Sequence, residues 1–164
     1  MKKLLAFILF IVLIGCNSAG SGNPDSEIAA IKAAIEKETD SFYKVDKTTW
    51  DVSWVQGNHA YWSYSDSTGT SYLEGWDNIN KNFEGYFKTQ VANRNIDVDK
   101  GANELNIDRT WQEFRIYGDG AYVRYTQKVK DAQIDRDETS QIRVMEKKDG
   151  VWKVAYVGII AKYD

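Results

Sequence analysis

The sequence has 164 residues, with 21 basic and 24 acidic side chains and a single histidine, cysteine and proline. A formal charge of −3 without a basic stripe excludes the electrostatics that nucleic-acid binding rewards. One cysteine and one histidine exclude both a disulfide framework and a zinc site of the usual ligand set, so no metal is expected, and without a phosphate-binding glycine loop or dinucleotide fingerprint no cofactor is expected either.

The chain opens with a targeting pattern. Lys2 and Lys3 precede the apolar run LLAFILFIVLI, Leu4 to Ile14, which is too short for a membrane span. The run closes in LIGC and turns at once into polar NSAGSGNPDS. Small residues before a lone cysteine, directly after such a run, resemble the lipobox of bacterial lipoproteins. That resemblance implies cleavage before Cys16, lipidation of Cys16, and a membrane of the bacterial cell envelope as partner. The alternative is an ordinary signal peptide or N-terminal anchor with an incidental cysteine. The expected division is residues 1–15 as signal peptide, 16–25 as lipidated cysteine and tether, and 26–164 as folded domain. Glycine, serine and asparagine in the tether cannot bury enough surface to order themselves. Asn17 supplies no retention signal of the aspartate type, and the choice between an outer-membrane and a periplasm-facing position stays open. Loss of Lys2 and Lys3 leaves 19 basic against 24 acidic residues, a net −5 suited to solubility.

Ser26, behind Pro24 and Asp25, is a candidate N-cap for EIAAIKAAIEKETDSFYKVD, in which Ile28, Ile31, Ile35 and Phe42 fall on one face. Asp46 can cap a second helix, KTTWDVSWV, with Trp50 and Trp54 four apart. From His59 the period changes to alternation in HAYWSYSD, and STGT supplies the turn of a hairpin to SYLEG. A third helix follows Gly75, with Trp76, Ile79, Phe83 and Phe87 at helical spacing. A polar stretch to Asp108 is strand-like at its end. Two long hairpins close the chain, turning at GDG and at Asp149-Gly150. This order predicts an α+β domain, three helices packed on a mostly antiparallel sheet.

The order resembles the nuclear transport factor 2-like superfamily, including its SnoaL-like members, with a cystatin-like fold. Three stretches carry the resemblance: DKTTWDVSWV as second helix, YLEGWDNINKNFEGYF as the entry to the third, and QIRVMEKKDGVWKVAYVGI as the closing strand pair. It implies a strongly curved sheet wrapped round the helices as a cone with a pocket at its open end. A homodimer through the outer sheet face is the expected assembly. Members include isomerases, dehydratases and hydrolases as well as binding domains, so function must be read from the site.

Catalytic relatives place a carboxyl or imidazole inside the apolar cone. His59 begins the first strand beside the helical tryptophans, and is either such a group or a structural rim histidine. Parity decides: His59, Tyr61 and Ser63 share one face, Ala60, Trp62 and Tyr64 the other, and the sequence leaves open which lines the cone. Alternation also sets Trp111, Glu113, Arg115 and Tyr117 apart from Phe114 and Ile116, and Gln141 and Arg143 apart from Ile142 and Val144. Glu113, Arg124 and Arg143 are therefore a candidate charged cluster, or else cross-strand pairs on an outer face. DVDKG, Asp97 to Gly101, lacks the third acidic position and the terminal glutamate of a calcium loop, and Asp131, Asp135, Asp137 and Glu138 read as a solvated loop.

With 6 tryptophans and 10 tyrosines, the aromatic content exceeds the needs of a small core and fits a pocket for a small apolar, aromatic or sugar-like ligand. Trp50, Trp54, Tyr61, Tyr72, Trp76 and Phe83 are the candidate ligand-binding residues. The reading is a lipid-anchored envelope protein whose cone binds a small ligand or partner. The alternative is a SnoaL-like isomerase, dehydratase or hydrolase using His59 or the Glu113, Arg124 and Arg143 group.

Overall fold

The computed structural model describes residues 23–94, 106–130 and 136–161. The expected signal peptide, Cys16, the first part of the tether, the Asp97 to Gly101 stretch and the acidic residues Asp131 and Asp135 lie outside them. Among the described residues, no helix is long and apolar enough to cross a membrane.

Helix α1 spans Pro24–Tyr43. It starts two residues before the Ser26 cap expected from sequence, because the Asn23 side chain accepts from Asp25 N and Pro24, with its preset φ, occupies the first turn. The Ser26 hydroxyl instead donates to the Asn23 carbonyl at 2.7 Å. Helix α2, Lys47–Val52, is capped as expected by Asp46, which accepts from Thr49 N at 3.0 Å. It ends earlier than its apolar spacing implies. Trp54 leaves the helix to bridge Val154, and Val55 N donates to the Val154 carbonyl at 2.8 Å.

Strands β1 (Tyr61–Asp66) and β2 (Gly69–Glu74) form the short hairpin, and α3 follows over Trp76–Arg94. Strands β3 (Asn106–Tyr117), β4 (Gly120–Lys130), β5 (Thr139–Lys148) and β6 (Val151–Ala161) are the long hairpins. The β5–β6 turn needs positive φ at two successive residues, and Asp149 (52°) and Gly150 (79°) supply it. The sheet order is β2-β1-β6-β5-β4-β3, antiparallel throughout except that β1 runs parallel to β6. This is the α+β architecture expected, a curled, unclosed sheet with the helices on its concave side.

Two bulges bend the sheet and reset its alternation. Gln112 is the extra residue of β3 against β4, so Trp111 and Phe114 pack inward on opposite sides of it. Ala155 is the extra residue of β6 against β5, which keeps Trp152, Val154 and then Val157 buried while Tyr156 lies outside. Around the helices the rings interlock. Trp50 is nearly inaccessible and has five aromatic neighbours, Phe42, Trp54, Trp76, Phe83 and Phe87, with centroids 5.2–6.2 Å away.

Glu27, in the first turn of α1, fastens that helix to the last hairpin. Its carboxylate accepts from Lys147 Nζ at 2.7 Å and from Trp152 Nε1 at 2.8 Å. The Lys147 hydrogen bond, then that of Trp152, holds its pKa below the ordinary 4.5. A carboxyl with a lowered folded pKa contributes stability above the unfolded value and loses it as pH falls through the folded one. Melting temperature is thus expected to drop as pH is lowered from about 5 to about 3. Glu27→Gln should flatten that acid limb while lowering stability at neutral pH. An unchanged limb in the variant would show that this clamp carries none of the acid sensitivity.

Candidate functional site: an aromatic cone with a charged floor

The concave side of the sheet encloses a cavity of about 420 Å³ between α1, α2, α3 and strands β1, β4, β5 and β6. That volume lies in the range of small-molecule sites. Its walls are aromatic: Phe42, Trp50, Trp54, Trp62 and Phe83 line it. Its floor is polar, formed by Glu38 and Thr39 of α1 with Gln127 of β4 and Gln141 and Arg143 of β5. Tyr43, Tyr64, Arg136, Asp137 and Glu138 also line it, as do Val157 and Ile159 of β6.

Each floor residue follows from a local rule. Glu38 continues the Ile31, Ile35 stripe of α1 at a spacing that must face the sheet, and is 5% exposed. Gln141 and Arg143 share the inward parity of β5 with Met145, and all three are buried. Glu38 and Arg143, themselves 5% and 3% exposed, face each other with Oε2 and Nη2 3.8 Å apart. The carboxylate also accepts from Trp50 Nε1 at 2.9 Å and from Thr39 Oγ1 at 3.1 Å. Arg143 donates through Nη1 to Gln141 Oε1 at 2.9 Å, and its guanidinium lies 5.6 Å from the Tyr125 ring centroid. A buried pair tied into further hydrogen bonds is how a protein holds two charges away from water.

The candidate residues divide between three places. Trp50, Trp54 and Phe83 line the cavity, and Arg143 reaches its floor. Trp76 belongs to the core behind them, 5.7 Å from Trp50 and 6.1 Å from Trp54. Tyr61 and Tyr72 stack on each other on the outer face, with centroids 5.7 Å apart and Tyr72 61% exposed. His59 also lies outside the cone, 59% exposed at its side chain, with Nε2 2.9 Å from Glu146 Oε1. Parity explains this: Trp62, opposite Val157 of β6, packs its ring 5.2 Å from Phe83, so Ala60, Trp62 and Tyr64 take the concave side.

The suggested group of Glu113, Arg124 and Arg143 is not brought together. Glu113 and Arg124 sit opposite each other on the outer face, 3.6 Å apart, and Glu113 pairs more closely with Arg115 at 2.6 Å. The bulge at Gln112 puts Glu113 on the face opposite Trp111, whereas Arg143 points inward. The partner of Arg143 is Glu38, and the apolar stripe of α1 is the signal that could have found it. Among the described residues, no three His, Cys, Asp or Glu side chains cluster as metal ligands.

Neither a protein-family model nor a curated protein matches the sequence. Solved structures match the fold. A nuclear transport factor 2-like protein of unknown function from Shewanella oneidensis MR-1 superposes with a TM-score of 0.57 at 14% identity, over 82% of this chain and 99% of its own. The chain has the nuclear transport factor 2-like fold. A second protein of that kind, from Pseudomonas putida KT2440, gives a TM-score of 0.60 at 10% identity, covering 87% of this chain and 92% of that one. A domain of unknown function with a cystatin-like fold, from Nostoc punctiforme PCC 73102, gives 0.56 at 14% identity over 85% and 79% of the two chains. Identities this low carry the nuclear transport factor 2-like cone across and leave the chemistry to the residues in it.

Proposed function

We propose that the cone binds a small organic ligand, and that the chain is held at a bacterial envelope membrane by lipid on Cys16. The observation that supports binding is the cavity itself: about 420 Å³ with walls of tryptophan and phenylalanine and a few convergent polar groups at one end. Binding is favoured over acid–base catalysis because Glu38, a carboxylate on the cavity floor, has its oxygens occupied by Trp50, Thr39 and Arg143. His59, suggested from sequence for proton transfer, lies outside, as do Glu113 and Arg124. The anchor rests on the lipobox-like LIGC after the apolar run. Several acyl chains at ~0.8 kcal/mol per buried methylene would hold the chain firmly at a membrane.

A ligand that binds the folded state alone raises the melting temperature by mass action. A thermal-shift screen of small metabolites on the folded domain is expected to yield a stabilising compound whose effect disappears in Ile159→Trp, a substitution that fills the cavity from β6. No shift across a broad screen, or one that persists in the filled variant, would overturn the reading. In the full chain expressed in bacteria, Cys16→Ala is expected to move the protein from the membrane to the aqueous fraction. Retention at the membrane would overturn the anchor.

A further inference from the structure

The two cavity glutamines stand in fixed orientations. Gln127 Oε1 accepts from Arg109 Nε at 3.0 Å, its neighbour directly across the β3–β4 ladder. Gln141 Oε1 accepts from Arg143 Nη1 at 2.9 Å. A guanidinium can only donate, so in each pair the amide oxygen must be the atom facing the arginine. Both arginines are themselves held, Arg109 by Asp40 at 3.1 Å and Arg143 by Glu38. The amides therefore turn their nitrogens the other way. Gln141 Nε2 places one hydrogen on Thr139 Oγ1 at 2.6 Å and keeps a second, while Gln127 Nε2 has no acceptor among the described residues. Both side chains are over nine-tenths buried and line the cavity.

Two further donors of lining residues, Trp54 Nε1 and Arg143 Nε, are buried without a partner among the described residues, whereas Glu38, the carboxylate of the floor, accepts from Trp50 and Thr39. The charges along the lining nearly cancel, with Glu38, Asp137 and Glu138 against Arg136 and Arg143. An anion gains no net attraction there, and the one carboxylate of the floor, Glu38, already accepts from Trp50 and Thr39.

Building on the proposed binding function, we infer that Gln127 and Gln141, oriented by Arg109 and Arg143, are the specificity-determining donors of the cavity. They select an uncharged ring compound that carries a carbonyl-type oxygen. The ring lies against the tryptophans and the oxygen meets the two amide N–H groups.

Three two-ring probes of similar size separate the alternatives: coumarin with a neutral lactone carbonyl, naphthalene with no acceptor, and 2-naphthoate with a charge. Calorimetric titration is expected to rank coumarin about tenfold tighter than naphthalene, with 2-naphthoate weakest, as follows when buried donors are satisfied in one complex and left unpaired in the other. Side-chain amide resonances of Gln127 and Gln141 should shift with coumarin alone. Gln127→Glu keeps an acceptor for Arg109 but removes the donor, and should abolish the preference for coumarin over naphthalene. Gln127→Met, which adds no charge, should do the same, and an unaltered melting temperature in either variant confirms the fold. Arg109→Met should erode the coumarin-to-naphthalene ratio, a selectivity that a purely structural arginine would leave alone. Equal binding of coumarin and naphthalene, or a preference retained in both Gln127 variants, overturns this inference while leaving the cavity a ligand site. Failure of every probe to bind the unmodified protein overturns both.

Discussion

Replacing Arg143 by methionine is expected to destabilise the domain by about 3–5 kcal/mol, the usual consequence of leaving one member of a buried ion pair uncompensated. Glu38 would remain 5% exposed with two neutral donors, Trp50 Nε1 and Thr39 Oγ1, and no cation. Gln141 would lose the donor that fixes its oxygen. The double variant Glu38→Gln/Arg143→Met removes both charges yet keeps an acceptor for the Trp50 indole. It should recover most of the loss, because replacing both members of a buried pair is often close to neutral. Equilibrium urea unfolding of the single and double variants measures the difference. If Arg143→Met alone costs less than about 1 kcal/mol, the range of an exposed pair, the floor is wetter than its burial implies.

The second large effect concerns Trp50. Truncation to alanine is expected to cost about 3–5 kcal/mol, through lost burial and the cavity left among rings that cannot all collapse inward. Trp50 itself belongs to α2, and its five aromatic neighbours are Phe42 of α1, Trp54 just beyond α2, and Trp76, Phe83 and Phe87 of α3, so the void would open where all three helices meet. Trp50→Phe separates the contributions: it retains an aromatic ring but leaves Glu38 without its indole donor, and should cost about 1–3 kcal/mol. Equal losses for the two variants would mean that the hydrogen bond to Glu38, rather than packing, dominates at this position.

The elements were legible in the sequence because their signals are local. Asp46 caps α2, Gly150 turns the last hairpin, and the spacing of Trp76, Ile79, Phe83 and Phe87 defines α3. The site was legible only in part, since a site depends on which face each strand turns inward. Alternation separates His59 from Trp62 but cannot choose between them. That choice is made by the parallel pairing of β1 with β6, a contact between distant segments. Glu113 misleads for a different reason: the extra residue at Gln112 reverses the alternation between Trp111 and Phe114, and nothing about a glutamine in a strand announces it. Glu38 was readable from helical periodicity, as a charge inside an apolar stripe. Its partner Arg143 was visible only as one of two parity sets.

The position of β6 has a kinetic consequence. Although it is the last strand of the sheet in sequence, it lies between β1 and β5, pairing residue 61 with residue 156 on one side and 139 with 161 on the other. Until it inserts, the β1–β2 hairpin and the β3–β4–β5 meander share no edge, and Trp54, just after α2, has no strand to bridge. Topologies that rely on such distant pairings fold on a scale of about milliseconds to seconds, far slower than helical bundles. A chain emerging residue by residue would therefore hold its two halves apart until the final segment arrives, and the cone would form in one late step.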